Sequence, residues 1–584
     1  MTPLRPARRP RWLLTLVCVC TLAAAQPAPP EGPSGVTPKR AVQSKREMVA
    51  TANPIATAVG YRILRQGGTA VDATIAMQMV LNLVEPQSSG IGGGAFMLAH
   101  DARSHLLSAY DGRETAPAAA TPERFLDADG KPQRFFDAVV GGKSVGVPGT
   151  LRMLALAHRR HGKLRWADLF EPAIHLAETG FAVSPRLHAA IVGEKTFAQA
   201  RARAYFSRAD GKPLEVGDIL KNPPFAATLR RIANEGADAF YVGALAADIV
   251  QTANSYVANP GDLTEADLAS YKAKARTPIC GVYRHYTVCG MPPPSAGGVT
   301  LLELLGLLDR FDLAATGVES LQSVHLFSEA GRLAFADRDQ YLADPDFVAI
   351  PEGLTDLDYL RRRSMLIQPN VSIGHASPGL PDVNFPLERI AYGSGNALEF
   401  PSTSHLSVVD RDGNAVAMTT TIENAFGSTL MTKGGFLLNN QLTDFSFVPV
   451  VEGKLVANRV EAGKRPRSAM APTIVYDAQG QVLMIVGSPG GGAIINYVAK
   501  TLIGVLDWHL DPQAAIDLPN IGSRNGPTEL ESGTRVELLA NPLRAMGHDV
   551  RISAQTSGVQ AIVRTRDGWI GGADSRREGV VLGD

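Results

Sequence analysis

Residues 403–427 read TSHLSVVDRDGNAVAMTTTIENAFG. LSVVD (406–410) and NAVAMTTTI (414–422) have strand composition, and Arg411-Asp412-Gly413 between them is turn chemistry. The pattern predicts an antiparallel hairpin. A turn at Asp412-Gly413 would pair 411 with 414, and hence 404 with 421. That places Thr421 beside Thr403 at the open end of the hairpin. Further strands are expected at Gly435–Asn439, Thr473–Tyr476 and Val482–Val486.

Upstream of the hairpin, residues 368–402 are rich in Pro, Gly and Ser and show no clear period. They read as a long exposed linker. The first half of the chain is mainly helical in pattern. Asn53-Pro54 opens a helix carrying Ile55, Val59 and Ile63 on one face, with Gly67-Gly68 as its stop. A second helix fits Ala70 to Val84, ended by Pro86. Others fit residues 151–161, 225–236, 299–310 and 320–342. SGIGGGAFML is a glycine-rich bend into a strand at Phe96. Packed helices with antiparallel strands predict an α+β layered fold, and no internal repeat is seen.

The chain has 584 residues and is 45% apolar, which is ample for a large buried core. Lys+Arg and Asp+Glu balance at 57 each, with no block of like charge, so a nucleic-acid groove is not indicated. Residues 1–25 have a basic start (Arg5, Arg8, Arg9, Arg11), an apolar run from Trp12 to Leu22, and Ala23-Ala24-Ala25 before Gln26. This is the form of a secretory signal peptide. It points to export, periplasmic or secreted, and no later stretch has the roughly 18 apolar residues of a membrane span. Residues 26–47 read as a disordered start, with folding from near Met48.

Four cysteines are present, and Cys18 and Cys20 would leave with the signal. Cys280 and Cys289 stand in CGVYRHYTVC. A hairpin turning at Arg284-His285 would set them face to face, as a disulfide in an exported protein or as two buried thiols. Gly142-Lys143-Ser144 lacks the glycine a phosphate loop needs, since Asp137 stands there. Gly487-Ser488-Pro489-Gly490 lacks the spacing of a serine-hydrolase elbow. The twelve histidines contain no HExxH, and no metal site is visible.

Taken together, the motifs become specific. TSHLSVVDRDGNAVA, TTTIE followed by FG, LLNNQLTDFS (437–446), GKRPRSAMAPT (463–473) and GSPGGG (487–492) stand in the order of the gamma-glutamyltranspeptidase small subunit. MVATANPIAT, GGTAVDA, GIGGGAFM, DGRETAP (111–117), RTPICGVYRHYTVCGMPPPSAGG (276–298) and FADRDQYLADPDF (335–347) resemble its large subunit. The likeness runs from about Met48 to the C-terminus. It implies a four-layer αββα N-terminal nucleophile hydrolase, made as one precursor that cuts itself between Ser402 and Thr403. The products would be a large subunit (48–402) and a small catalytic subunit (403–584), held together as a heterodimer.

The chemistry suits that role. A threonine hydroxyl is a weak nucleophile and needs a base. Freed by cleavage, Thr403 carries its own α-amine, with a pKa near 8. Thr421 would orient the hydroxyl. By the resemblance, backbone amides of Gly490 and Gly491 form the oxyanion hole. Arg113 grips the α-carboxylate of a gamma-glutamyl group with Ser468, while Gln441 and Asp444 hold its ammonium. Glu423 stands where relatives carry asparagine or glutamate. The implied reaction is transfer of a gamma-glutamyl group from glutathione or a similar compound to water, an amino acid or a peptide, with no cofactor.

Two features depart from the pattern. Ala469 follows Ser468 where relatives often have a second serine, which removes one hydroxyl donor. Residues 447–463 make a shortened lid without an aromatic tip. Rival readings are a glutaryl or cephalosporin-type acylase, a poly-gamma-glutamate depolymerase, and a binding protein that is never cut.

Overall fold

The computed structural model describes residues 35–195, 197, 199–381, 392–395, 397, 399–400 and 402–584. The expected signal peptide lies outside the described residues. Two seven-stranded sheets dominate the fold. The first runs in the order Val580–Gly583, Met48–Thr51, Ser404–Val409, Ala415–Thr421, Gly94–Asp101, Leu106–Gly112 and Lys274–Arg276. The second runs Val42–Ser44, Gly568–Ala573, Gln560–Thr565, Val482–Gly487, Thr473–Tyr476, Tyr286–Gly290 and Ile279–Tyr283. Neighbouring strands are antiparallel throughout both.

The hairpin shows why the sheets stack as layers. Successive side chains of a strand point to opposite faces. Leu406, Val408, Val416 and Met418 join a core with Ile75, Met79 and Leu83 of helix Ala70–Val84. Val409, Ala415 and Ala417 join a second core with Ile485 and Ile562 of the facing sheet. A strand apolar on both faces has to be covered on both. Helices Pro54–Arg65, Ala70–Val84 and Thr150–His161 cover the first sheet, and Gly297–Leu308 and Ile494–Leu506 cover the second. The result is the expected αββα sandwich.

Local chemistry sets the helix ends. Asn53 accepts from the Ile55 amide, with Pro54 at the first helical position. Thr69 and Asp72 form a reciprocal capping box at the start of Ala70–Val84. Among the described residues no helix is long and apolar enough to cross a membrane.

Several expectations are corrected. The hairpin register is one residue off: Val409 pairs with Ala415 and Ser404 with Thr420. Gly413 takes φ +86°, and its amide and that of Asp410 bond Asp410 and Asn414 oxygens, so the loop has three residues rather than two. Extending the register sets Thr403 itself opposite Thr421. Gly435–Asn439 is not a strand: Gly435 has φ +84°, and a turn leaves only the isolated Met431–Leu437 bridge. Val42–Ser44 pairs with Trp569–Gly571, so order begins before Met48 because an open sheet edge is there to pair with. The expected exposed linker is buried where it meets the hairpin, with Ser402 0% and Thr403 3% exposed. Of the two readings open for Cys280 and Cys289, the disulfide holds: they pair across the Arg284-His285 turn and are joined.

Candidate active site

Thr403 lies just before strand Ser404–Val409, and Thr421 ends the paired strand. The Thr403 hydroxyl donates to the Thr421 hydroxyl oxygen at 3.3 Å, and the Thr421 hydroxyl donates to the Ser402 carbonyl at 2.8 Å. The Glu423 amide donates to the same Thr421 oxygen at 2.9 Å. Glu423 has φ +77°, which turns the chain back after the strand and aims that amide inward. Three hydroxyl and carbonyl oxygens thus lie in one chain across the Ser402–Thr403 bond. The Thr403 carbonyl accepts from Arg577 Nη1 at 3.3 Å.

Thr403 and Thr421 line a small cavity with Arg113, Glu423, Gln441, Asp444, Ser468, Ala469 and Gly491. Gly490 and Ser402 are the expected site residues close by that do not line it. Arg113 follows strand Leu106–Gly112, whose end lies two strands over from the Thr421 end, across Gly94–Asp101. Its Nη2 donates to Asp444 Oδ2 at 2.5 Å and to the Arg467 carbonyl at 2.8 Å, and its Nε donates to the Pro466 carbonyl at 3.0 Å. Nη1 makes no hydrogen bond among the described residues. Gln441 Nε2 also donates to Asp444 Oδ2, at 2.7 Å. Asn440 Nδ2 donates to Glu423 Oε2.

Burial raises the Asp444 carboxyl to about 6 against the pull of Arg113. Burial and the neighbouring Asp444 carboxylate raise Glu423 well above the carboxylate range. Glu423 Oε1 and Gln441 Oε1 are buried without a hydrogen-bond partner among the described residues. Three acids, Glu399, Glu423 and Asp444, line the cavity with the Arg113 guanidinium. An ammonium group beside Asp444 and Glu423 would draw both carboxyls toward their charged forms and meet the open Glu423 and Gln441 oxygens.

Gly490 (φ +139°) and Gly491 (φ +55°) form the turn between strand Val482–Gly487 and helix Ile494–Leu506. A Cβ on Gly491 would stand 2.5 Å from the Phe400 carbonyl oxygen and 2.8 Å from that of Glu399. The chain just before the Ser402–Thr403 bond thus crosses this turn, and Glu399 and Phe400 line the cavity themselves. Phe400 is seated on Phe135, with ring centroids 4.5 Å apart. The Ser468 hydroxyl accepts from the Met470 amide at 3.2 Å. In the lid region, Val450–Val451 and Lys454–Leu455 form a short hairpin, and none of residues 447–463 lines the cavity.

Comparison with known proteins decides the family. The gamma-glutamyltranspeptidase family model matches residues 56–584. The chain belongs to the gamma-glutamyltranspeptidase family. It is 38% identical over 554 residues to the glutathione hydrolase proenzyme of Bacillus subtilis (strain 168), covering 92% of each chain. It is 35% identical over 548 residues to the acylase ACY 1 proenzyme of Pseudomonas sp. (strain SE83), covering 92% of this chain and 93% of that one. The fold matches a cephalosporin acylase from Bacillus halodurans with a TM-score of 0.79 at 27% identity, over 94% of this chain and 97% of the other. The chain is thus a member of an enzyme family with the N-terminal nucleophile hydrolase fold.

Within this gamma-glutamyltranspeptidase fold, sequence alone does not single out Glu399, Phe400, Met470 and Ile494, which line the cavity, or Asn440 and Glu114, which pack beside its lining residues. Asn440 sat inside the quoted NNQLTD motif, and its adjacency to Gln441 was the available signal. Glu399 and Phe400 sat in an aperiodic stretch with no signal at all. Glu114, next to Arg113, is fully buried, and burial pushes its carboxyl up to about 8. The metal reading also gains an observation. His325, Glu329 and His548 are buried with ligand-type atoms within 4.8 Å of one another. These atoms already bond within the protein. His325 Nδ1 meets His548 Nε2 at 2.7 Å, His548 Nδ1 meets Thr528 Oγ1 at 2.7 Å, and Arg332 Nε donates to Glu329 at 2.9 Å. The Arg332 guanidinium beside them disfavours a cation.

Proposed function

We propose that this protein is a gamma-glutamyltransferase and glutathione hydrolase that matures by cutting itself between Ser402 and Thr403. The observation that carries the reading is the buried chain from Thr403 Oγ1 through Thr421 Oγ1 to the Ser402 carbonyl, at 3.3 and 2.8 Å. In maturation, Thr403 Oγ1 attacks the Ser402 carbonyl carbon. Thr421 donates to the developing oxyanion, a contact that typically contributes about 100- to 1,000-fold in rate. The C–N bond breaks, and the hydroxyl proton ends on the Thr403 nitrogen. Water then hydrolyses the resulting ester. Ser402 becomes a carboxylate and Thr403 becomes a free N-terminus.

In turnover, the freed α-amine takes the Thr403 hydroxyl proton as Oγ1 attacks the gamma-amide carbonyl. Backbone amides at Gly490-Gly491 receive the oxyanion, and the leaving amine takes the proton. Water, an amino acid or a peptide then accepts the gamma-glutamyl group from the ester. Arg113 Nη1 and Ser468 bind the α-carboxylate. Asp444, Gln441 and Glu423 bind the ammonium. Ala469 supplies no hydroxyl, so Arg113 carries more of the carboxylate binding. The large and small subunits stay paired, because Ser404–Val409 is a central strand between Met48–Thr51 and Ala415–Thr421. The basic-apolar leader supports export.

A glutaryl amidase is the nearest alternative, since one relative is named an acylase. A glutaryl group has no ammonium and would leave the buried Glu423 Oε1 and Gln441 Oε1 without a donor. Turnover of paired gamma-glutamyl and glutaryl amides tests the point. Equal or better cleavage of the glutaryl amide would overturn the gamma-glutamyl assignment.

A further inference from the structure

Glu399 lies three residues before the Ser402–Thr403 bond, and its carboxylate enters a nest of arginines beside the cavity. Arg338 Nη2 donates to Glu399 Oε1. Arg467 Nε stands 4.0 Å from the same oxygen. Arg524 Nη1 and Glu399 Oε2 lie 2.9 and 3.3 Å from the position a Cβ on Gly492 would take. The fixed acids are fewer than the cations. Asp339 pairs with both Arg338 (2.8 Å) and Arg467 (3.0 Å), and Glu529 pairs with Arg524 (3.2 Å).

Glu399 fills this recess imperfectly. Its Oε2 is buried with no hydrogen-bond partner among the described residues, and so are Arg338 Nε, Arg467 Nε and Arg524 Nε. Buried donors and acceptors left open in this way are uncommon. The arginines adjoin the gamma-glutamyl pocket, which Glu399 itself lines. The Arg467 carbonyl holds Arg113 while the Arg467 side chain reaches Glu399. Once the bond at 402–403 is cut, Glu399 belongs to a loose chain end. Its departure leaves three guanidiniums against Asp339 and Glu529, one positive charge in excess.

Building on the gamma-glutamyl reading above, we propose that Arg338, Arg467 and Arg524 form a second anion subsite. It takes a carboxylate carried by the part of the substrate beyond the gamma-glutamyl group, and Glu399 is its stand-in within the uncut chain. The substrate class is then gamma-glutamyl peptides with a free terminal carboxylate, rather than gamma-glutamyl amides in general.

The test uses the full chain after self-cleavage and three probes: a gamma-glutamyl dipeptide with a free carboxylate, the same dipeptide as its C-terminal amide, and a gamma-glutamyl anilide. The wild type is expected to favour the acid over the amide about tenfold in kcat/KM, the ratio that a charge-assisted hydrogen bond readily gives. Arg524→Gln is expected to bring that ratio close to one, and Arg524→Lys to restore most of it. The ratio is internal to each sample, so partial misfolding lowers both substrates alike. If Arg524→Gln does not fold, Arg467→Gln is read by the same internal ratio: a ratio near one supports the subsite, and an unchanged ratio counts against it. Equal turnover of acid and amide by the wild type, or an unchanged ratio in Arg524→Gln, overturns the proposal. Failure to cleave the anilide at all would instead sink the gamma-glutamyl reading on which it rests.

Discussion

The hairpin Ser404–Thr421 and the stretch just before it, Tyr392–Ser402, meet at one peptide bond and are held in opposite ways. The hairpin is central in its sheet, bonded on both edges and packed on both faces. The preceding stretch has no regular structure among its described residues. It is held by an isolated bridge and scattered contacts: Gly393 on Val456, the Gly395 amide on the Asp339 carbonyl at 3.1 Å, Glu399 among arginines, Phe400 on Phe135 and Phe136, and the Ser402 hydroxyl donating to the Gln87 carbonyl at 2.5 Å. Under the proposed cut, the hairpin keeps its place in the sheet and the preceding stretch is the side freed.

The sharpest way to break this contrast is at the contact that spans the junction. Thr421→Val keeps the strand but removes the donor to the Ser402 carbonyl. Its self-cleavage should slow by about 100- to 1,000-fold, followed as fragment appearance over time. Unchanged cleavage would remove Thr421 from the mechanism.

Stability should separate the two sides next. Leu406 is fully buried beneath helix Ala70–Val84, and Leu406→Ala should cost about 2–5 kcal/mol in uncut and cut protein alike. Phe400→Ala should destabilise the uncut form only. Denaturant unfolding of both forms, with Thr403→Ala supplying the uncut one, checks this. An equal loss for Phe400→Ala after cleavage would mean that the stretch stays docked.

A smaller effect is expected at the ammonium end of the cavity. Asp444→Asn keeps the shape but removes the charge that pairs with Arg113 Nη2. KM for a gamma-glutamyl substrate should rise about 10- to 100-fold, with a lesser change in kcat. A glutaryl substrate should be affected less, because it brings no ammonium.

The smallest effect is pH dependence. The Asp444 carboxyl is raised to about 6, so it gains a proton as pH falls through that value. The protonated acid no longer attracts an ammonium, and KM should climb below about pH 6. Asp444→Asn should flatten that limb. A limb that persists in Asp444→Asn belongs to another group.

The same contrast explains what was legible in the sequence. Strands 406–410 and 414–422 and the helix at 70–84 were readable because strand composition, turn chemistry and capping residues mark them. The register slipped by one because Asp412-Gly413 reads as a two-residue turn, whereas Gly413 closes a three-residue loop. Gly435–Asn439 has strand composition, but a glycine at positive φ makes it a turn. Arg113, Asp444 and Gln441 were found through their motifs, and the structure draws them into one cavity. Glu399 was not legible, since its meaning lies in arginines 61 and more residues away in the chain that only folding brings together.

The most direct test of the account is the intact mass of the purified protein under denaturing conditions, beside that of Thr403→Ala. The account predicts two wild-type fragments, one ending at Ser402 and one running from Thr403 to Asp584, and a single uncut chain without turnover for the variant. A wild-type chain that stays whole, or a Thr403→Ala protein that still cleaves itself or turns over substrate, would contradict it.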